Sequence, residues 1–413
     1  MGTAFGEQMR RLMAEHDLSL RRVAKLVSYD PGYLSKVVNG HKPITPHLAA
    51  ALDRALEADG ALVAVAAPAL PEAADLAELE LLRQDLGDVL SEGSMAEGSL
   101  DEWEQSVLQH GRATRDRPAG RIFIDLTADL AELMRALKRC RTASAIRRLT
   151  RMTAQMSGLM YLTLVRLDKP NASRRWARTA CIAAHESDDP ATESWVLAQV
   201  AYGHFYCGDP VGAITVARHA RDRAGKAVCV GAPLAAALEA RAHAALGSRS
   251  DVQTILGQVE EMVERLDDES RVPSAFSYNE AQFRFHQGNA YTLLARRDDD
   301  PRANVEKALQ AQEQALELCA PGDYTDWALT RLDRADCLAL SGDIQACALY
   351  MAETLSCLTE QQREGIITLR GHEIVAALPQ EKQALPIVRD VHDLLMQTTN
   401  GTEEEPHGRR DPR

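Results

Sequence analysis

Residues 18–43, LSLRRVAKLVSYDPGYLSKVVNGHKP, constrain the fold of this chain more than any other stretch. Helix-start and helix-stop signals follow one another so closely that only two short helices across a tight turn satisfy them. Ser19 is a good N-cap, and Val23, Ala24 and Val27 recur behind it at helical spacing. Tyr29 to Pro31 breaks that helix. Asp30 supplies a second N-cap, Pro31 stands where its missing N–H has no helical partner, and Leu34, Val37 and Val38 form an inward face. Asn39-Gly40 ends the run. Helices this short cannot bury those side chains alone. Phe5, Met9, Leu12 and Met13 before them, and Ile44, Leu48, Leu52 and Leu56 after them, must close one small helical core.

The rim left facing outward is polar and basic, which suits a surface laid against duplex DNA. Leu18-Ser19, Val23-Ala24, Tyr33-Leu34-Ser35-Lys36 and Asn39-Gly40 resemble, at matching spacing, the lambda-repressor-like helix-turn-helix of the XRE regulator family, over residues 3 to about 58. The resemblance implies that the second helix of the pair lies in the major groove and that dimers read half-sites about one helical turn apart. It places Asp30, Gly32, Tyr33 and Lys36 at base edges. Ser19, Arg21 and Arg22 from the preceding helix, with His41 and Lys42 from the following loop, are placed at phosphates. Leu20 departs from the family where many members carry a polar, DNA-reaching residue, and Asp30 is acidic, so no base preference follows. The alternative is a helical hairpin that never meets nucleic acid.

Charge supports the first reading. Residues 1–57 hold eight Lys/Arg against six Asp/Glu, a balance of +2, while the remainder holds 39 against 54, or −15. A +2 unit neutralises few phosphates, so a homodimer is expected to be the binding species.

The rest of the chain reads as all-α. Ala-rich segments with apolar periods near 3.6 recur from residue 72 to residue 397, with no alternating strand pattern. No run of 18 apolar residues occurs, and the sequence opens directly on the helix-turn-helix, so a cytoplasmic protein is expected. The eight cysteines form no CxxC and no zinc-finger cluster with histidine, and suit buried helix interfaces, a redox pair being the alternative. HExxH, GxxxxGK[ST] and GxSxG are absent. The sequence therefore predicts no catalysis, no cofactor and no metal.

Domain boundaries follow from composition. Residues 1–66 form the DNA-binding unit, 67–120 a connector with the flexible acidic segment Ser91–Ser99, 121–400 a helical repeat region, and 401–413 a disordered tail. Within the connector, Asp101-Glu102-Trp103-Glu104 and Gly111-Arg112-Ala113-Thr114 resemble a segment common in actinobacterial regulators of this type. In the repeat region, Gly288-Asn289-Ala290-Tyr291, Ala308, Ala315-Leu316-Glu317-Leu318 and Pro321 resemble a tetratricopeptide repeat, lengthened by an inserted loop at Arg296–Arg302. Gly208-Asp209, Gly247-Ser248 and Gly342-Asp343 mark weaker copies. Six to eight stacked hairpins would make a curved solenoid with a concave face.

That second resemblance implies which residues line the concave face: Trp195, Tyr202 and Phe205 in one repeat, Arg241 in the next, Gln282, Phe285 and Asn289 in a third, and Asp336 in the last. The carboxamides of Gln282 and Asn289 can donate and accept to a peptide backbone, and Arg241 can hold a carboxylate. Trp195, Tyr202 and Phe285 equally suit packing between hairpins. The architecture resembles that of XRE-type regulators with tetratricopeptide-like C-terminal domains, which implies a regulator whose solenoid dimerises, binds a small ligand or a peptide effector, or both. A DNA-bound adaptor that recruits a protein partner is the second reading, and an enzyme or toxin neutraliser the third.

Overall fold

The computed structural model describes residues 4–62 and 97–396, except 17, 28, 40, 43–45, 57, 59 and 364. Every regular element among them is helical, and the chain divides into two units, Met1–Val89 and Leu90–Arg413. Ile44, Gly40, most of the acidic segment and the tail lie outside the described residues.

The first unit contains α1 (Ala4–Glu15), α2 (Leu20–Leu26), α3 (Pro31–Val38) and α4 (Pro46–Ala55). Its boundaries follow cap chemistry. The Ser19 hydroxyl accepts the Arg22 N–H at 3.4 Å, and the Asp30 carboxylate accepts the Tyr33 N–H at 2.8 Å with Pro31 in the first turn. Phe5, Met9, Leu12, Val23, Ala24, Leu34, Val37, Val38, Leu48, Leu52 and Leu56 close one core. Val27 and Met13 pack at its edge, half-buried. Truncating one of the fully buried leucines to alanine typically costs about 2–5 kcal/mol. A unit this small has little to spare.

The second unit opens with α5 (Glu97–Asp116) and α6 (Ala119–Arg139). Then come hairpins: α7 (Ala143–Arg166) with α8 (Pro170–Glu186), α9 (Pro190–Tyr206) with α10 (Pro210–Ala224), α11 (Gly231–Ala245) with α12 (Arg249–Glu264). They continue as α13 (Glu280–Ala295) with α14 (Arg302–Leu318), α15 (Tyr324–Leu340) with α16 (Ile344–Ser356), and α17 (Ile366–Ala377) with α19 (Pro386–Met396), the short α18 (Gln380–Gln383) between the last two. This is a solenoid-like array of helical hairpins. The first helices α7, α9, α11, α13, α15 and α17 contact one another in a row. Being packed on every side, α11 buries each residue from Pro233 to Ala242.

Turn chemistry sets the repeat. Gly208, Gly247 and Gly342 end their helices at φ of 75°, 83° and 91°, a region that penalises any Cβ. Asp209 and Asp343 then cap the next helix by accepting from the N–H groups of Gly212 and Ala346. Asp168 and Asp188 take the glycine's place in two further turns, both at φ 53°. The expected loop at Arg296–Arg302 is the α13–α14 linker, with Arg302 already helical.

Two expectations need correction. The connector predicted over 67–120 ends before α5. Leu100, Val107, Ile122 and half-buried Trp103 belong to the core of the second unit, and Arg148 on α7 pairs with Asp101 and Glu104. An amphipathic stripe outweighed the small, acidic residues that precede it. The cysteines are also less uniformly buried than expected. Cys140, Cys229, Cys337 and Cys347 are inside, whereas Cys207 and Cys357 are exposed and Cys181 and Cys319 intermediate. All eight are free thiols.

Candidate functional site

On the first unit, α3 is fixed from behind and open in front. Leu34, Val37 and Val38 anchor it, and Arg10 on α1 caps its far end, Nη2 donating to the Val38 carbonyl at 3.3 Å and to Asn39 Oδ1 at 3.1 Å. Sequence reasoning missed Arg10. The contact spans the fold and leaves no local pattern. Gly32, Lys36 and Asp30 are exposed along the free edge, though Asp30 already spends one oxygen on the cap. Tyr33 is half-buried, its ring stacked 6.0 Å from Tyr29 and covered by Lys42 Nζ at 5.2 Å. Lys42 reaches it because the chain after α3 folds back, the N–H groups of His41 and Lys42 donating to the Lys36 carbonyl. Ser19, Arg21, Arg22, His41 and Lys42 are all exposed on or beside the start of α2 and the end of α3. The nine residues expected to meet DNA thus belong to α2, α3 and the segments flanking them.

On the second unit, the inner row of first helices is not an empty groove. The C-terminal end of α5 and the connection 265–279 enter it. Ala275 N–H donates to the Gly111 carbonyl at 2.8 Å, and Arg115 binds Asp326 at 2.9 Å, Asp323 at 3.3 Å and the Ser274 carbonyl at 3.0 Å. Arg166 donates to the Thr114 carbonyl at 2.6 Å and to the Tyr324 hydroxyl at 2.9 Å. These segments divide the face into separate cavities.

The residues expected to line that face therefore part company. Trp195 donates its indole N–H to the Ala275 carbonyl at 2.7 Å and lies 4.7 Å from the Phe276 ring. It borders a cavity of about 300 Å³ with Glu104, Arg151 and Thr192. Tyr202, Gln282 and Phe285 face a space of about 60 Å³ beside Arg115, Arg166 and Asp326. Gln282 also closes a capping box with Asn279 at the start of α13. Phe205, Arg241, Phe285 and Asn289 come together at a second cavity of about 300 Å³, reached by the ends of α9, α11 and α13 and by α15 and α17.

Around that second cavity runs a buried polar network. Arg241 Nε donates to Asn289 Oδ1 at 2.7 Å, and Asn289 Nδ2 donates to Asp333 Oδ2 at 2.7 Å. Arg370 binds Asp333 at 2.8 Å and Asp336 at 2.7 Å, while Arg296 grips Asp336 through two nitrogens at 2.6 and 2.7 Å. Asp336 is thus committed to two guanidinium groups and does not line the cavity. Sequence reasoning missed Arg370, since α17 lies beyond the repeat that the glycine turns mark; it read Arg296 as part of a loop and passed over Asp333 one turn before Asp336 on α15. His286, behind Phe285, is fully buried; burial first, then the nearby Arg241 and Arg115 charges, hold it neutral well below the usual histidine range.

Burial pushes the Cys337 thiol up to about 11 and the Cys347 and Cys319 thiols up to about 12, which keeps them protonated and unreactive. Among the described residues no cluster of His, Cys, Asp and Glu could hold a metal ion, and no helix is long and apolar enough to cross a membrane.

Residues 4–66 match the helix-turn-helix domain family, so the first unit is a helix-turn-helix domain, a DNA-binding module. No curated protein matches the sequence. Among solved structures the chain is similar to the crystal structure of BtubC (BKLC) from P. vanneervenii, with 14% identity and a TM-score of 0.40, over 72% of this chain and 98% of that one.

Proposed function

We propose that the chain is a sequence-specific transcriptional regulator of the XRE type, acting in the cytoplasm as a homodimer on an inverted-repeat operator. Its tetratricopeptide-like body senses a small ligand or short peptide, and it is not an enzyme. The observation that carries the reading is the presentation of α3: capped at both ends, buried on one side, and free along the edge that holds Gly32 and Lys36. Exposed Arg21, Arg22 and Lys25 on α2 suit phosphate contacts beside it. Two copies follow from charge, since one +2 unit neutralises too few phosphates for regulatory affinity. The sensing role rests on the body's two cavities of about 300 Å³, each combining aromatic side chains with charged and polar ones: Trp195 and Phe276 with Glu104 and Arg151 in one, Phe205, Tyr206 and Phe285 with Arg241 and Asn289 in the other.

The test is retention of genomic fragments by the full chain at moderate salt, with its mass in solution measured in parallel. A dimer that selects fragments sharing an inverted repeat supports the reading, and removing residues 1–66 should leave a dimer that no longer retards DNA. A monomer that selects no fragment refutes it.

A further inference from the structure

Arg241 is almost wholly enclosed, 1% exposed, yet no carboxylate among the described residues lies within 4 Å of its guanidinium. Its partners are neutral. Nε donates to Asn289, Nη2 donates to the Tyr206 hydroxyl at 3.1 Å, and Nη1 has no hydrogen-bond partner. The rings of Phe205, Tyr206 and Phe285 stand 4.2, 5.2 and 5.4 Å from the guanidinium carbon and cover its faces. Other enclosed arginines are treated differently. Arg370 and Arg115 each hold two aspartates, and the terminal nitrogens of Arg166 are satisfied by a carbonyl and two hydroxyls.

The nearest negative charge does not balance Arg241. Asp333 reaches it only through Asn289 and is already bound to Arg370; Asp336 is shared by Arg370 and Arg296. That leaves three buried or half-buried guanidinium groups against two buried carboxylates. Glu373 touches Arg370 at 3.3 Å with its side chain 55% exposed, so water screens it. Arg297, exposed, borders the same cavity and has no carboxylate within 4 Å among the described residues. A buried charge without a counter-charge is strongly unfavourable unless something supplies one.

The cavity beside it is sized and lined to do so. Its volume of about 300 Å³ lies at the small end of ligand pockets, and Leu293, Leu329 and Phe285 give it apolar walls. We propose that this cavity binds a carboxylate carried on an apolar body, the two oxygens meeting Nη1 and Nη2 of Arg241 end-on in place of the Tyr206 hydroxyl. Asn289 holds Nε and so fixes the fork toward the ligand. Arg297 adds a second positive group at the rim. The proposal rests on the sensing part of the reading above and names its ligand class. A free organic acid and the C-terminus of a short peptide both carry this chemistry.

The test uses the full chain and two probe pairs that differ only in charge: 3-phenylpropionate against 3-phenylpropanamide, and the dipeptide Ala-Phe against its C-terminal amide. Calorimetric titration should show one acid binding at millimolar or tighter affinity and its amide at least tenfold weaker; which pair responds identifies the source. Arg241→Met should lose that binding while unfolding in urea at or above the wild-type midpoint, because it removes an unbalanced charge. Equal binding of acid and amide, no binding of either acid, or undiminished binding to Arg241→Met overturns the proposal. So does a clearly lowered midpoint for Arg241→Met, which makes the arginine structural. DNA retention by the wild-type protein is scored on the same preparation. Its absence sinks the regulator reading and leaves the cavity result standing, while DNA retention without acid binding does the reverse.

Discussion

Asp323→Asn should stabilise the helical body relative to wild type, and increasingly so as pH rises. Asp323 caps α15, Oδ1 accepting the Asp326 N–H at 3.3 Å, and its Oδ2 lies 3.3 Å from Arg115. Asp326 approaches the same guanidinium at 2.9 Å, so one positive charge serves two carboxylates. Burial first, then repulsion from Asp326, push the Asp323 carboxyl up to about 6 against the pull of Arg115. A carboxyl whose folded pKa lies above its unfolded value, near 3.8, keeps its proton longer in the folded chain. Stability therefore falls as pH rises through that interval, and the loss is complete above it. The gap corresponds to a few kcal/mol in all, of which on the order of 1 kcal/mol accrues between pH 5 and pH 8. Asparagine caps helices as well as aspartate does and does not titrate there. Any fixed offset from the altered Arg115 contact cancels in the slope. All four tryptophans, at 103, 176, 195 and 327, belong to the body, so their fluorescence during urea unfolding reports that unit alone. The difference between variant and wild type should rise by on the order of 1 kcal/mol from pH 5 to pH 8. A flat difference, or one that falls, would show that Arg115 and not burial governs the carboxyl.

Three further outcomes follow from named contacts. Lys36→Ala should erase the preference for operator over random DNA, whereas Arg21→Ala should weaken both together and lower the salt slope by about one; equal losses on both DNAs for both variants would misplace α3. Asp30→Ala should destabilise the first unit by about 1 kcal/mol and Asp30→Asn hardly at all, read by amide exchange at Leu34, Val37 and Val38; like behaviour of the two variants would mean that the cap is dispensable. At the hairpin turns, Asp188→Gly should gain about 0.5 kcal/mol by relieving its positive φ, and Gly342→Ala should lose about 1 kcal/mol by acquiring the same strain. Melting temperatures shifting in the same direction would contradict the assignment of strain.

Local chemistry made the first unit legible. Ser19, Asp30 and Pro31 act within one helical turn of themselves, so their meaning survives without neighbours. The glycine turns at 208, 247 and 342 were readable for the same reason. Asp188-Asp189-Pro190 carries the same turn, yet an aspartate at positive φ looks like any acidic loop residue. The connection 265–279 shows the opposite limit. Pro273, Ser274 and Ser277 announce a loop, but its burial against Gly111 and Trp195 is decided by hairpins far away in sequence. Arg241 and Asn289, implied by repeat register, do meet at 2.7 Å. That Asp333 and Arg370 continue the chain was not readable, because α17 lacks the turn that would set its register.

Phe285 is the point at which these features join. One face of its ring covers Arg241 at the cavity, and the side chain also borders the smaller space lined by Arg115 and Asp326. Cavity and clamp are therefore separated by a single aromatic wall. Contiguity alone does not transmit a signal; an element with two arrangements is needed as well. Arg115 pairs with Asp323 and Asp326 at once and through them holds the last turn of α5 to the start of α15. A counter-charge arriving at Arg241 would reduce the positive potential that Arg241 and Arg115 jointly impose on His286.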